Sequence, residues 1–320
     1  MHFKAVRMLV LATAFWALSF PTMRALSLIQ QPLVPGADSW FFSSLCVCYR
    51  FALAALVLLL ICGRRMKGLT RSEISQGAGM ALFGAGGILF QMDGLARTPA
   101  SVSAFLTQGY CLWIPLWVAL RYWKLPHRRL LLGCVMVLGG AAILARVDWD
   151  QLRLGWGEGE TLIASVLFGG QILWLERPVY KGNDVTRFSV VMFVVMSLAC
   201  LPLVWWHAPS AAALVDAYRA PATWLCLAML VVPSTLGGYM LMNRWQPYVT
   251  ATEAGLIYCG EPIFASLLAT FMPGLYFIVF GVPYDNETIT ASLLLGGALI
   301  TAANVMIQWP PAKQPEEAGL

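Results

Sequence analysis

Apolar residues run in long blocks along this chain, and polar residues gather in the short gaps between them. The blocks do not alternate as strands do, and they are too long for strands. A bilayer core takes about 20 apolar residues per helix. The pattern predicts ten such helices: Ala5–Ile29, Trp40–Ile61, Ile74–Leu95, Pro99–Leu120, Leu130–Ala145, Gly159–Arg177, Phe188–Trp206, Pro221–Met242, Thr250–Phe271 and Ile289–Gln308. The fold class that follows is an all-α membrane protein.

Composition supports this. Charged residues make up 12% of the chain and hydrophobic ones 59%, with a mean hydropathy of +0.70. A soluble domain carries about 25% charged residues, so most of this surface cannot face water. The net charge of +5 sits in clusters between apolar runs, which argues against a nucleic-acid partner and for a lipid bilayer. With the N-terminus inside, the inner side collects Lys4, Arg7, Arg64, Arg65, Lys67, Arg71, Arg121, Lys124, Arg128, Arg129, Arg177, Lys181, Arg187, Arg244 and Lys313. The outer side holds Arg97, Arg146, Arg153 and Arg219. Both termini are therefore expected to be cytoplasmic, in a plasma membrane or bacterial inner membrane. Residues 309–320 read as a disordered cytoplasmic tail. The first apolar run lacks a small-residue cleavage site and reads as a retained helix. The eight cysteines lie in apolar spans without a CxxC pair, so neither a metal nor a disulfide is expected. There is no GxxxxGK[ST], HExxH or GxSxG motif, and no cofactor is expected.

The two halves share a pattern. TPASVSAFLTQGYCLWIPLWVAL in one and QPYVTATEAGLIYCGEPIFASLLATF in the other each open near a proline, Pro99 or Pro247, and carry a second, Pro115 or Pro262. LLGCVMVLGGAAILA and LLLGGALITAANVMI follow in matching places. Five helices per half is an odd number, so residues 5–145 and 159–308 would form two inverted five-helix repeats, a hallmark of secondary transporters.

The segments AFWALSF, YRFALAALVLL, LARTPASVSAFL, EPIFASLLA and LLLGGALITAANV resemble the drug/metabolite transporter superfamily, specifically EamA-type transporters. The resemblance runs from about Arg7 to Gln308. It implies two five-helix repeats, export or exchange of small metabolites, and a cavity lined by helices one, three and four and their counterparts six, eight and nine. Two departures stand out. RYWKLPHRR replaces the Gly-Glu pair frequent after the fourth helix, and MPGLYFIVFGVPYDNETIT inserts an outer segment at 272–288 that dips into the interface or lids the cavity.

Several residues stand out in those spans. Glu261 lies mid-span, where a charge costs at least about 2.5–3.5 kcal/mol and must face protein or water. It has three readings: a structural carboxylate bonded to backbone freed by Pro262 or to polar neighbours, an ion pair with Arg50, or a substrate or proton site. Pro262 opens the backbone beside it, and Pro115 does the same in the fourth span without an acid. Asp93 and Arg97, spaced i, i+4, form an ion pair or an outer gate. Thr250 to Glu253, TATE, fits a helix capping box. The candidate substrate-contacting set is Trp16, Phe20, Gln91, Gln108, Gln171, Trp174, Tyr239, Asn243, Tyr258 and Glu261. Each aromatic also reads as packing, and each mid-span amide as an interhelical bond.

The expected function is a secondary transporter of a small-molecule solute, an amino acid or related compound. Export is the expected direction, with a proton as candidate coupling ion. The competing classes are an intramembrane enzyme or receptor and a channel-like facilitator. The oligomeric state stays open.

Overall fold

The computed structural model describes residues 1–98, 100–123, 128–144, 155–286, 288 and 290–308. The expected tail, Pro99, and the charged residues Lys124, Arg146, Arg153 and Glu287 lie outside them. The described residues are helical and contain no strand. Five helical stretches are long and apolar enough to cross a membrane: 2–30, 39–68, 71–97, 185–207 and 221–248. A sixth is reached if the bent pair over 251–280 counts as one span.

The helices are α1 (His2–Ala17), α2 (Ser19–Gln30), α3 (Ser39–Cys62), α4 (Arg71–Arg97), α5 (Ala100–Thr107), α6 (Tyr110–Tyr122), α7 (Arg128–Leu144) and α8 (Trp156–Leu175). Then come α9 (Val185–His207), α10 (Ala213–Asp216), α11 (Pro221–Met229), α12 (Gly238–Trp245), α13 (Ala251–Tyr258), α14 (Glu261–Ala269), α15 (Met272–Phe280) and α16 (Ala291–Gln308).

Polar side chains set the helix starts. Asp38 Oδ1 accepts from Phe41 N at 2.8 Å to cap α3, and Asp184 Oδ1 accepts from Arg187 N at 3.0 Å to cap α9. Thr70 and Glu73 form a reciprocal capping box on α4. Thr250 and Glu253 form the one expected on α13. Each satisfies backbone donors that the first turn leaves unpaired.

Four of the expected spans are interrupted. The first breaks at Leu18 between α1 and α2. The fourth breaks at Gln108–Gly109, well before Pro115, which lies inside α6. The eighth widens into a π-helix over Leu230–Gly237, with Pro233 within it. The ninth breaks at Cys259–Gly260, so Pro262 falls in the first turn of α14, where its missing N–H does no harm. The segment expected as an outer insertion contributes α15, bent by 46° from the preceding helix pair. Tyr276 fixes α15 to α2 through a 2.8 Å bond with Thr22. Ile278, 80% exposed, and Phe277 face outward.

The helices pack across the two halves of the chain. α4 packs on α8 and α9, α3 on α9, α7 on α16, and α1 on the wide turn, α12, α13 and α14. Close approach explains two glycines. A Cβ on Gly140 of α7 would sit 2.7 Å from the Gly296 carbonyl of α16, and one on Gly94 of α4 would sit 2.7 Å from the Gly157 carbonyl of α8. Small residues at such crossings let backbones meet without an apolar driving force between helices.

Candidate functional site

A cavity of about 60 Å³ lies where the interrupted helices meet. By the measure of one sphere per water it holds about four waters. Its wall takes residues from both sides of three breaks: Trp16 and Ser19, Thr107 and Tyr110, Tyr258 and Glu261. α3 adds Arg50, α4 adds Ile88 and Gln91, α8 adds Phe168, Gln171 and Ile172, and α12 adds Tyr239 and Met242.

Aromatic rings form one side. Trp16 meets Tyr258 edge-on at 5.1 Å and Tyr239 at 5.6 Å between centroids. Trp16 lies against Gly238, where a Cβ would come within 2.4 Å of Nε1. Among the described residues the buried Trp16 Nε1 has no hydrogen-bond partner. Tyr258 donates to Gln246 Oε1 at 3.1 Å, and Gln246 in turn donates to the Ile172 carbonyl at 2.9 Å. This chain ties the end of α13 to α8.

Two charged side chains face the same small space. Glu261 opens α14, and the aligned peptide dipoles of a helix start favour a carboxylate there. It is 7% exposed, and among the described residues its carboxylate makes no hydrogen bond or ion pair. Arg50, 2% exposed, donates through Nε to Thr235 Oγ1 at 2.6 Å. Thr235 Oγ1 itself donates to the Leu230 carbonyl at 2.9 Å, five residues back in the π-helix. The wide turn thus presents a hydroxyl that holds the guanidinium. Arg50 and Glu261, one of the expected pairings, make no contact within 4.0 Å among the described residues, and the guanidinium bonds Thr235. The cavity therefore carries one acid and one base that do not neutralise each other by contact.

The other candidates fall in different places. Gln91 lies on the wall and donates to Thr107 Oγ1 at 3.1 Å. Gln171 lies on the wall and donates to the Met80 carbonyl at 3.2 Å. Gln108 is buried off the wall, donating to the Ala104 carbonyl and accepting from Tyr110 at 3.0 Å. Asn243 is buried off the wall and donates to Ser189 at 2.8 Å. Phe20, 1% exposed, packs in the core. Trp174 lies elsewhere, beneath the Arg177 guanidinium at 4.3 Å, in a separate groove between α6, α8 and the start of α13. Asp93 and Arg97 form their ion pair, and Arg97 reaches a third partner, Glu160.

Sequence reasoning passed over Ser19, Thr107, Tyr110, Phe168, Met242 and Thr235. Tyr110 had a signal: it stands before Cys111 as Tyr258 stands before Cys259 in the other half. Glu160 also had one, as an acid close to the start of an apolar run.

Residues 156–309 match the EamA-like transporter family, a family of membrane transporters of small molecules. The match covers α8 through α16 and agrees with the resemblance read from the sequence. Together with the apolar helices it marks an integral membrane protein. No curated protein matches the chain. A protein crystal structure is similar over 96% of this chain and 97% of its own, at 15% identity and a TM-score of 0.66. At that identity the likeness concerns the fold.

Proposed function

We propose that this protein is a secondary transporter that moves a small zwitterionic metabolite, an amino acid or related compound, outward by alternating access. The observation that carries the reading is Glu261, a buried carboxylate without a partner, facing a cavity that also holds Arg50. An α-amino acid carries an ammonium and a carboxylate on one carbon, and these two side chains match that pair of charges. The rings of Trp16, Tyr239 and Tyr258 would receive an apolar or aromatic side chain. In a second role for the same group, Glu261 would carry a coupled proton between substrate visits.

The proposed architecture is ten helices in two inverted repeats, residues 5–145 and 159–308. The packing supports it. Exchanging the halves turns the contact of α4 with α8 into that of α12 with α1, and leaves α3 with α9 and α7 with α16 unchanged. Such a twofold scheme suits a site at the repeat interface, lined by interrupted helices. At about 60 Å³ the cavity is narrow, so a metabolite would enter only when the helices part. The clustering of lysine and arginine supports a plasma or bacterial inner membrane with both termini cytoplasmic.

The test is flux. Cells expressing wild type or Glu261→Gln at matched levels are fed dipeptides, and amino acids released to the medium are quantified. Release of one amino-acid class should saturate with its internal concentration and fall about tenfold or more in the variant, equivalent to ~1.4 kcal/mol in the limiting step. Equal release from both would remove Glu261 from the mechanism. A flux that never saturates would favour a channel.

A further inference from the structure

Away from the cavity, at the end of α4 opposite its capping box, three charged groups meet at the seam of α4 and α8. Asp93 is 0% exposed and Glu160 3%. Arg97 Nη1 donates to Asp93 Oδ2 and, at 3.0 Å, to Glu160 Oε2. Its Nη2 donates to Ser39 Oγ of α3 at 2.8 Å. One guanidinium thus serves two buried carboxyl groups.

The second oxygens of those groups tell more. Asp93 Oδ1 and Glu160 Oε1 are both buried, and neither meets a donor among the described residues. The two carboxyl groups share one nitrogen, Arg97 Nη1, which holds them side by side. Two ionised carboxylates so placed would repel, and a buried acceptor without a donor is destabilising, more so when charged. One proton removes both faults. On Glu160 it makes an O–H that donates to Asp93, and the remaining single negative charge balances Arg97.

The surroundings offer no other remedy among the described residues. Glu158 of α8 accepts from Thr98 at 3.4 Å, and the Trp156 side chain hydrogen-bonds the Glu160 carboxyl but leaves Oε1 without a donor. Arg24 of α2 turns to the Ala96 carbonyl at 3.3 Å. Asp38, next to Ser39, pairs with His207 of α9 at 2.6 Å. From α5, Ser103 meets Thr161 of α8 at 3.4 Å, hydroxyl to hydroxyl. No third acid, histidine or cysteine completes a metal site there.

We propose that Glu160 holds a proton that it donates to Asp93, a proton-binding site at the α4–α8 seam separate from Glu261. Its release to water leaves two anions on one guanidinium and pushes α4 and α8 apart at that end. Use of the site in coupling rests on the transporter reading; the proton itself does not.

The test is infrared difference spectroscopy of the purified full-length protein in lipid vesicles, read at the carbonyl stretch of protonated carboxyl groups through a pH titration. Wild type should show a protonated-carboxyl band that titrates. Glu261→Gln, which removes any band from Glu261 itself, should keep a band, and adding Glu160→Gln or Asp93→Asn to it should abolish that band, because an amide N–H takes the place of the proton. A Glu261→Gln protein without the band, or a band that survives when either seam change is added to Glu261→Gln, overturns the proposal. If one variant fails to fold, the other decides. No substrate is needed, so this result and the flux result can fail independently.

Discussion

The α5–α6 and α13–α14 regions are built from similar sequence and interrupted in both cases, yet only one brings an acid to the cavity. Around the first break, Gln108 consumes its own bonding capacity: its amide donates to the Ala104 carbonyl and its oxygen accepts from Tyr110. Around the second, the equivalent tyrosine bond is passed to a residue outside the break, from Tyr258 to Gln246. Glu261 is left to start a new helix with nothing to bond. The placement of the proline explains part of the contrast. Pro262 falls in a first turn, so the helix restarts at Glu261, whereas Pro115 falls inside α6. A break is chemically useful when it leaves a polar group unsatisfied at the restart.

The largest expected effect comes from making the first region imitate the second. Gln108→Glu removes the bond to Ala104 and places a charge off the cavity wall. Its stability should fall by about 2.5–3.5 kcal/mol, the cost of a mid-membrane charge, in denaturant unfolding of the protein in vesicles. Glu261→Gln, in the same assay, should be as stable as wild type or more so. Equal behaviour of the two would erase the distinction. Next in size, Tyr110→Phe and Tyr258→Phe each remove one tyrosine–glutamine bond and should each cost about 0.5–1.5 kcal/mol. A much larger loss for Tyr258→Phe would show that the link from α13 to α8 bears more of the fold than its partner. Smallest, Thr250→Ala dissolves the capping box on α13 and should cost about 1 kcal/mol, with flux unchanged. A flux change there would extend the functional region of the ninth span to its capped end.

Much of the fold was legible because bilayer thickness imposes a length on apolar runs. One cap was legible too, since Thr250 and Glu253 sit at fixed spacing. Glu261 drew notice because an acid in hydrocarbon is costly. The interruptions at Leu18 and Gln108 were not legible, since neither has a proline at the break itself. Nor was the wall of the cavity. Runs that are apolar all round give little sign of which face turns inward, so Phe20, Gln108 and Asn243 were selected by spacing and lie off the wall, while Thr107, Tyr110 and Phe168 lie on it. Glu160 was missed because its partners Asp93 and Arg97 already made a complete pair within one helix.

The π-helix over Leu230–Gly237 has an angular consequence. An α-helix advances about 100° per residue, and a π turn absorbs one residue more than an α turn. Every side chain beyond it is therefore rotated by about 100° from the bearing an uninterrupted helix would give it. Tyr239 and Met242 point at the cavity from the rotated side. Deleting one residue from the wide turn would dial both rings of contacts around the helix axis without altering any amino acid that touches the cavity. The register of the backbone, as much as the identity of its side chains, selects what the cavity sees.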